Sequence, residues 1–235
     1  AGCRELTDEV VNFELSSGGL VWSGNARPIP QVRAGFIDFV DIPFTKGWVQ
    51  IKGELAYGKF MDNDFLRDHY NYYNQYITTD ALYHHKSISF RSNPDKPFVV
   101  TIGAELAAQF GGTKRYYEKG ILIDSLTMKS PTRLKDFFKI LFPSSGDGQT
   151  NEGDQAYYYG NHVGQWNLSA EYRFKDNSSV RGYFEWYFDD ASGMGKFNGW
   201  DGLWGLEYKS GKKNWLSNVV LEYLDMTNQS GPLNW

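Results

Sequence analysis

A two-residue hydrophobic period, sustained over unusually long stretches, constrains this chain more than any other feature. From position 166, Trp166, Leu168, Ala170, Tyr172 and Phe174 alternate with Asn167, Ser169, Glu171, Arg173 and Lys175. Beyond Asp176 and Asn177 the pattern resumes, with Val180, Gly182, Phe184, Trp186 and Phe188 set against Arg181, Tyr183, Glu185, Tyr187 and Asp189. Successive side chains of a strand point to opposite faces, so this is a hairpin with one apolar and one polar face. The same reading holds for Val49, Ile51, Leu55 and Tyr57 against Gln50, Lys52 and Glu54, and for Val100, Ile102, Leu106 and Phe110 against Thr101, Glu105 and Gln109. Weaker versions run through Val32–Phe36, Trp204–Tyr208 and Val219–Tyr223. Roughly nine or ten strands are expected, and the fold class is all-β and antiparallel.

Several of these strands reach about 10 to 13 residues, beyond the 5 or 6 usual in soluble sheets. A tilted strand crossing a bilayer needs about 9 to 11. Connection lengths point the same way. Short turns fall near residues 43–47, 92–97, 176–179 and 210–213, and long segments lie between them at 61–81, 111–163 and 190–199. An up-and-down barrel in an outer membrane has short turns at one end and long loops at the other. A Greek-key sandwich has no reason to segregate them.

Composition narrows the remaining classes. Lys plus Arg number 24 and Asp plus Glu 28, a net charge of -4, which excludes a charge-driven nucleic-acid binder. One cysteine excludes an internal disulfide framework and a multi-cysteine metal site. A mean hydropathy of -0.52 and the absence of a long apolar run exclude a transmembrane helix, but not a barrel. Aromatic residues make up 17% of a chain this hydrophilic. Rings gathered on one strand parity, in two interfacial girdles and in the outer loops account for both numbers.

The polar parity carries Arg33, Lys52, Arg91, Arg173 and Arg181 beside Glu54, Glu105, Glu171, Glu185, Glu207 and Glu222. In a barrel these line the lumen, where pairs of opposite sign brace the wall; on a sandwich they are a solvated face. Mixed signs argue against a strongly ion-selective pore. In the longest loop, Ser130 and Pro131 suit a helix start, Leu134, Phe137, Phe138 and Leu141 recur at helical spacing, and Pro143 ends the run. A helix near residues 131–142 is expected, packed by its apolar side on the protein or lying on the membrane, in a loop large enough to cap or plug the barrel mouth.

Catalytic and metal chemistry find little support. His84 and His85 are adjacent and face opposite ways, so they cannot share a metal. His162, Asp189 and Asp190 have no fixed mutual geometry, and no G-x-S-x-G elbow is present. Asp189, Asp190 and Asp201 lack the spacing of a calcium loop. No enzyme, cofactor or metal is expected. Glycan binding calls for aromatic faces and planar polar side chains. The long loops supply Tyr70, Tyr72, Tyr73 and Tyr76 with Asn71, Asn74 and Gln75, and Tyr157, Tyr158 and Tyr159 with Asn161 and His162. Tyr72, Tyr73, Tyr76, Tyr158 and His162 are the candidate glycan contacts. Arg33, Lys52, Glu54, Glu105, Arg173, Arg181 and Glu185 are the candidate lumen-lining residues.

Seven blocks carry a family resemblance. Gly24-Asn25-Ala26-Arg27-Pro28-Ile29-Pro30-Gln31-Val32-Arg33 resembles the GNxRPIPQ(V/I)R signature of the capsule assembly protein Wzi family, in its Bacteroidetes branch. Blocks similar to the family's follow in order: Trp48 with residues 52–58, then 82–87, 109–113, 160–164, 188–194 and 201–205. Asp189-Asp190-Ala191-Ser192-Gly193 departs mildly from the Glu-Asp-Gly-Ser-Gly pattern expected there. The resemblance implies a monomeric barrel of about eighteen strands in the bacterial outer membrane, lectin-like and non-catalytic, with capsular or surface polysaccharide and outer-membrane lipid as partners. It also implies that residues 1–235 are part of one larger barrel domain, with 111–163 a long extracellular loop. Two rivals stand beside it: an outer-membrane channel for small solutes, and a soluble β-sandwich that binds carbohydrate or hydrolyses glycosides.

Overall fold

The computed structural model describes residues 2–3, 8–22, 26–70, 72, 75–145, 148, 159–189, 194, 199–212 and 215–228. In chain order the elements are β1 (Gln31–Asp41), β2 (Val49–Lys59), α1 (Phe65–Tyr70), β3 (Gln75–Thr79), β4 (Leu82–Ser92), β5 (Phe98–Phe110), β6 (Thr113–Glu118), β7 (Ile121–Lys129), α2 (Leu134–Leu141), β8 (Asn161–Arg173), β9 (Ser179–Asp189), β10 (Gly202–Lys209) and β11 (Asn218–Asp225). Eight of them form one antiparallel sheet in the order β1-β2-β4-β5-β8-β9-β10-β11, an up-and-down meander in which sheet order follows chain order. The other three, β3-β6-β7, form a satellite sheet out of the two longest connections. All-β antiparallel architecture thus holds. The count differs from nine or ten strands in one sheet, and residues 111–163 contain a hairpin and a helix.

Register carries the alternation across the whole sheet. An apolar row runs Val40, Ile51, Phe90, Ile102, Leu168, Phe184, Trp204, Tyr223, each residue opposite the next on the neighbouring strand. A polar row runs Glu54, Ser87, Glu105, Gln165. The β8–β9 hairpin turns where expected. Phe174 and Ser178 close the ladder, and Asn177 takes a left-handed φ of 65°, which asparagine tolerates better than most residues.

Burial is inverted relative to an ordinary globular sheet. Val32, Leu55, Ile88, Ile102, Leu168, Leu206 and Leu221 of the apolar parity are exposed, Leu221 at 68%. On the polar parity Glu105, Asn167, Glu185 and Glu207 are buried, and Gln165 and Glu185 are at 0%. The cover is supplied by residues 8–22, which lie across the polar face.

The helix forms in the expected loop, but with a later start and a different seat. It begins at Leu134, not in the turn after Ser130. Its N-cap is Arg133, whose backbone N–H donates to the Asp136 carboxylate at 2.7 Å. A carboxylate three residues into a helix satisfies an otherwise orphaned donor, so Asp136 does the work assigned to Ser130. Ile140 packs with Ala108, Phe110 and Tyr159, with Phe137, Tyr57 and Leu82 around them. Ala108 and Phe110 belong to the apolar parity, so α2 lies on that face and does not cap the polar one. Leu134 and Phe138 remain exposed. Lys86, on the same parity of β4, donates to the Ile140 and Leu141 carbonyls at the helix C-terminus, where a cation is favoured.

Candidate functional site

The polar face is braced by ion pairs between neighbouring strands. Arg33 on β1 donates to Glu54 on β2, through Nε at 2.9 Å and through Nη2. Arg181 on β9 sits directly opposite Glu207 on β10 and donates to it at 3.0 and 2.5 Å. Between Glu54 and Glu105 lies His85, with Nδ1 3.3 Å from the first and Nε2 3.2 Å from the second. As the parity requires, His84 points the other way, with Nδ1 3.0 Å from the Ala56 carbonyl and its ring tilted 34° against that of Tyr57, centroids 4.4 Å apart. Across the sheet, Tyr183 lies over Gly205, where any Cβ would strike its ring at about 2.0 Å, and its hydroxyl donates to Glu222 at 2.6 Å.

Onto this wall the segment 8–22 is fastened mainly by hydrogen bonds to wall side chains. The Trp22 indole N–H donates to Glu105 at 2.7 Å, the Val21 N–H to Gln165 at 3.2 Å and the Leu20 N–H to Glu185 at 2.8 Å. Asn12 donates to Glu207 at 2.6 Å and Ser16 to Glu222 at 2.7 Å. In the reverse direction Lys52 donates to Glu9, and Gln165 to Asp8 at 2.8 Å. This strap touches β2, β5, β8, β9, β10 and β11. Burying a carboxylate without a partner is costly, and the strap supplies donors to four of them.

The seven wall residues expected from the sequence therefore share one face. Six of them, Arg33, Lys52, Glu54, Glu105, Arg181 and Glu185, join the network under or beside the strap. Arg173 does not. It sits at the turn end of β8, 45% exposed, bonded to Glu171 at 2.9 Å and to the Pro94 carbonyl at 2.6 Å.

The five candidate glycan contacts separate. Tyr72 and Tyr76 belong to the satellite-sheet region. Tyr72 is 68% exposed and lies beside Gly120 in the β6–β7 turn. Tyr76 pairs with Tyr116 across β3 and β6, ring centroids 5.0 Å apart, with Lys114 Nζ 4.3 Å over its ring. His162 is elsewhere. It lies on the apolar parity of β8, buried, with Nε2 2.9 Å from the Tyr159 carbonyl, and has no surface to offer a ligand. A histidine among tyrosines in a loop suggests a ligand contact; strand parity puts it on the apolar face, where it is buried. Tyr73 and Tyr158 lie outside the described residues, as does Asp190.

A cleft missed by the sequence reading lies between the large and satellite sheets. It is about 480 Å³ and is lined by Lys59, Phe60, Met61, Asp62, Asn63, Asp64, Arg67, Ile77, Thr79, Asp80, Arg115 and Tyr117. Lys59 pairs with Asp80 at 2.6 Å and Arg67 with Asp64 at 3.1 Å. The Lys59 ammonium holds the Asp80 carboxyl below the usual carboxylate range. Nothing local marks these positions as one site, because β2, β3 and β6 must first assemble. Among the described residues no group of His, Cys, Asp and Glu is arranged to hold a metal ion.

Fold and site together define a class: a long-stranded antiparallel meander with an exposed apolar face, a charged face covered by the chain's own strap, and a satellite sheet bearing tyrosines beside a polar cleft. Compared with family models, with curated proteins and with solved structures, the chain has no match.

Proposed function

We propose that this chain is part of an outer-membrane β-barrel of the capsule assembly protein Wzi type, which holds or organises surface polysaccharide without catalysis. The observation that carries the reading is the inverted burial. An apolar parity exposed on seven of the eight strands of the sheet suits lipid, and a polar parity closed over by residues 8–22 suits the inside of a barrel. In a soluble sandwich the apolar parity would face a second sheet. The strap weakens the channel reading, since it occupies the face along which solutes would pass. In-order resemblance to the family's blocks supplies the polysaccharide, and Tyr72 and Tyr76 supply an exposed aromatic surface for it. No described helix is long and apolar enough to cross a membrane.

The test uses the full-length protein in its own cells. It is expected to fractionate with the outer membrane, to migrate faster on gels before boiling than after, and, when deleted, to leave cells that shed their capsule. Free solubility without detergent sinks the barrel; steady conductance in planar bilayers favours the channel; normal capsule retention removes the polysaccharide role while leaving the fold.

A further inference from the structure

The cleft between the two sheets has a composition that selects among ligands. Its lining holds three bases (Lys59, Arg67, Arg115) and three acids (Asp62, Asp64, Asp80), and the charges are internally matched. Lys59 is bound to Asp80 and Arg67 to Asp64; Arg115 donates to the Thr79 hydroxyl at 2.6 Å. Asp62 accepts the N–H groups of Asp64 and Leu66 at 3.2 and 3.1 Å. A carboxylate or phosphate entering such a site would lose its hydration without meeting net positive potential. What the site offers is planar groups with spare donors and acceptors, beside the apolar surfaces of Phe60, Met61 and Ile77. Phe60 is anchored edge-on against Tyr83 with ring centroids 5.6 Å apart, and Tyr83 in turn lies 6.4 Å from the Trp22 ring of the strap. Part of the lining is thus braced against the covered polar face and is not a loop surface alone.

We propose that this cleft is a saccharide subsite that takes an uncharged, hydroxyl-rich sugar segment, with Arg115 and Asp80 as its hydrogen-bonding pair and Phe60 and Met61 against the sugar's C–H surface. The inference rests on the polysaccharide reading above and adds to it a place and a charge class. Adjacent hydroxyls of a sugar match the fork of a guanidinium or the two oxygens of a carboxylate, whereas a charged sugar needs a net positive site, and here three acids offset the three bases.

The experiment takes full-length protein in detergent and surface polysaccharide purified from the producing cells. The polysaccharide is cut to oligosaccharides and split by anion exchange into uncharged and acidic pools. Calorimetric titration is expected to show binding of the uncharged pool, weakened roughly tenfold or more in Arg115→Ala and in Asp80→Ala. Asp80 is exposed and Arg115 half-buried, and unchanged gel migration before boiling verifies that the variants fold. Arg115→Lys keeps the charge but not the fork and is expected to bind nearly as poorly as Arg115→Ala. Binding of the acidic pool alone overturns the charge class. Binding of the uncharged pool that neither substitution alters overturns the location and leaves the polysaccharide reading standing. Binding of neither pool overturns both.

Discussion

His85 illustrates how a charged wall keeps its order under cover. Each ring nitrogen faces a carboxylate on a different strand, Glu54 on one side and Glu105 on the other, and the Trp22 ring packs edge-on against it at 5.4 Å. Glu54 retains Arg33, and Glu105 retains Trp22 and Gln165, so losing the imidazole removes the Nε2 bond to Glu105 and the 3.3 Å contact with Glu54 without stripping either carboxylate bare. His85→Leu is therefore expected to cost about 1–3 kcal/mol, read as a lower denaturation midpoint, and His85→Gln, which keeps a donor, less. At the β8–β9 turn the constraint is conformational. With φ of 65° at Asn177, Asn177→Ala is expected to destabilise by about 1–2 kcal/mol and Asn177→Gly to be near neutral, by the same midpoint. Beside it, the Ser178 hydroxyl and N–H hold the Asp176 carboxyl below its usual range. A depressed carboxyl stabilises the turn above its unfolded pKa, and the contribution is lost as pH falls through the folded one. Ser178→Ala is expected to move the Asp176 titration back toward the ordinary value, measured by carboxyl NMR shifts.

Among the elements, the strap is the one whose removal is easiest to read. Its bonds to the wall run to side chains, so it can loosen while the ladder stays intact. Trp22→Ala deletes the bond to Glu105 and the edge contacts with His85 and Tyr83. It is expected to raise proteolytic cleavage and hydrogen exchange within residues 8–22 several-fold, with β4, β5 and β8 unchanged. No sequence pattern announces this element. Its partners lie 83 residues away for Trp22 and 206 for Ser16, and of its five donors to the wall two are backbone N–H groups and three are isolated side chains. The only trace is an excess of glutamates on a parity that has to be buried. The long strands were legible because alternation persists for about ten positions, as from Trp166 to Lys175, and Asp176-Asn177 marks the reversal. β3 and β6 were not. Tyr76 and Thr78 face Ile77 and Thr79 with no clear contrast, and both parities of Thr113–Glu118 carry rings and charges. The apolar side of α2 was legible as a helical pattern, but its seat was not. Only the pairing of His84, Ala108 and His162 reveals which face Ile140 covers.

At the scale of the molecule, one substitution separates the two environments in which such a sheet can exist. Ile102 stands midway along β5, on the apolar row that crosses all eight strands, and is 53% exposed. If that parity faces lipid, an arginine at the middle of a strand must carry its charge into hydrocarbon. Ile102→Arg is then expected to cost about 2–4 kcal/mol of folding into vesicles, read from the fraction that keeps compact, unboiled gel migration across a denaturant series. If the same face meets water, the charge stays solvated and the change falls within about 0.5 kcal/mol, the range for ordinary surface substitutions. The row supplies its own control, because position matters in one environment and not in the other. Tyr172 lies near the turn end of β8, on the same parity and similarly exposed. Tyr172→Arg is expected to cost much less than Ile102→Arg in a bilayer, since the penalty falls to about 0–1 kcal/mol near the interface. In water the two are expected to be equal. A gradient of cost along one face, steepest at mid-strand, is a property that only a membrane-spanning sheet can have.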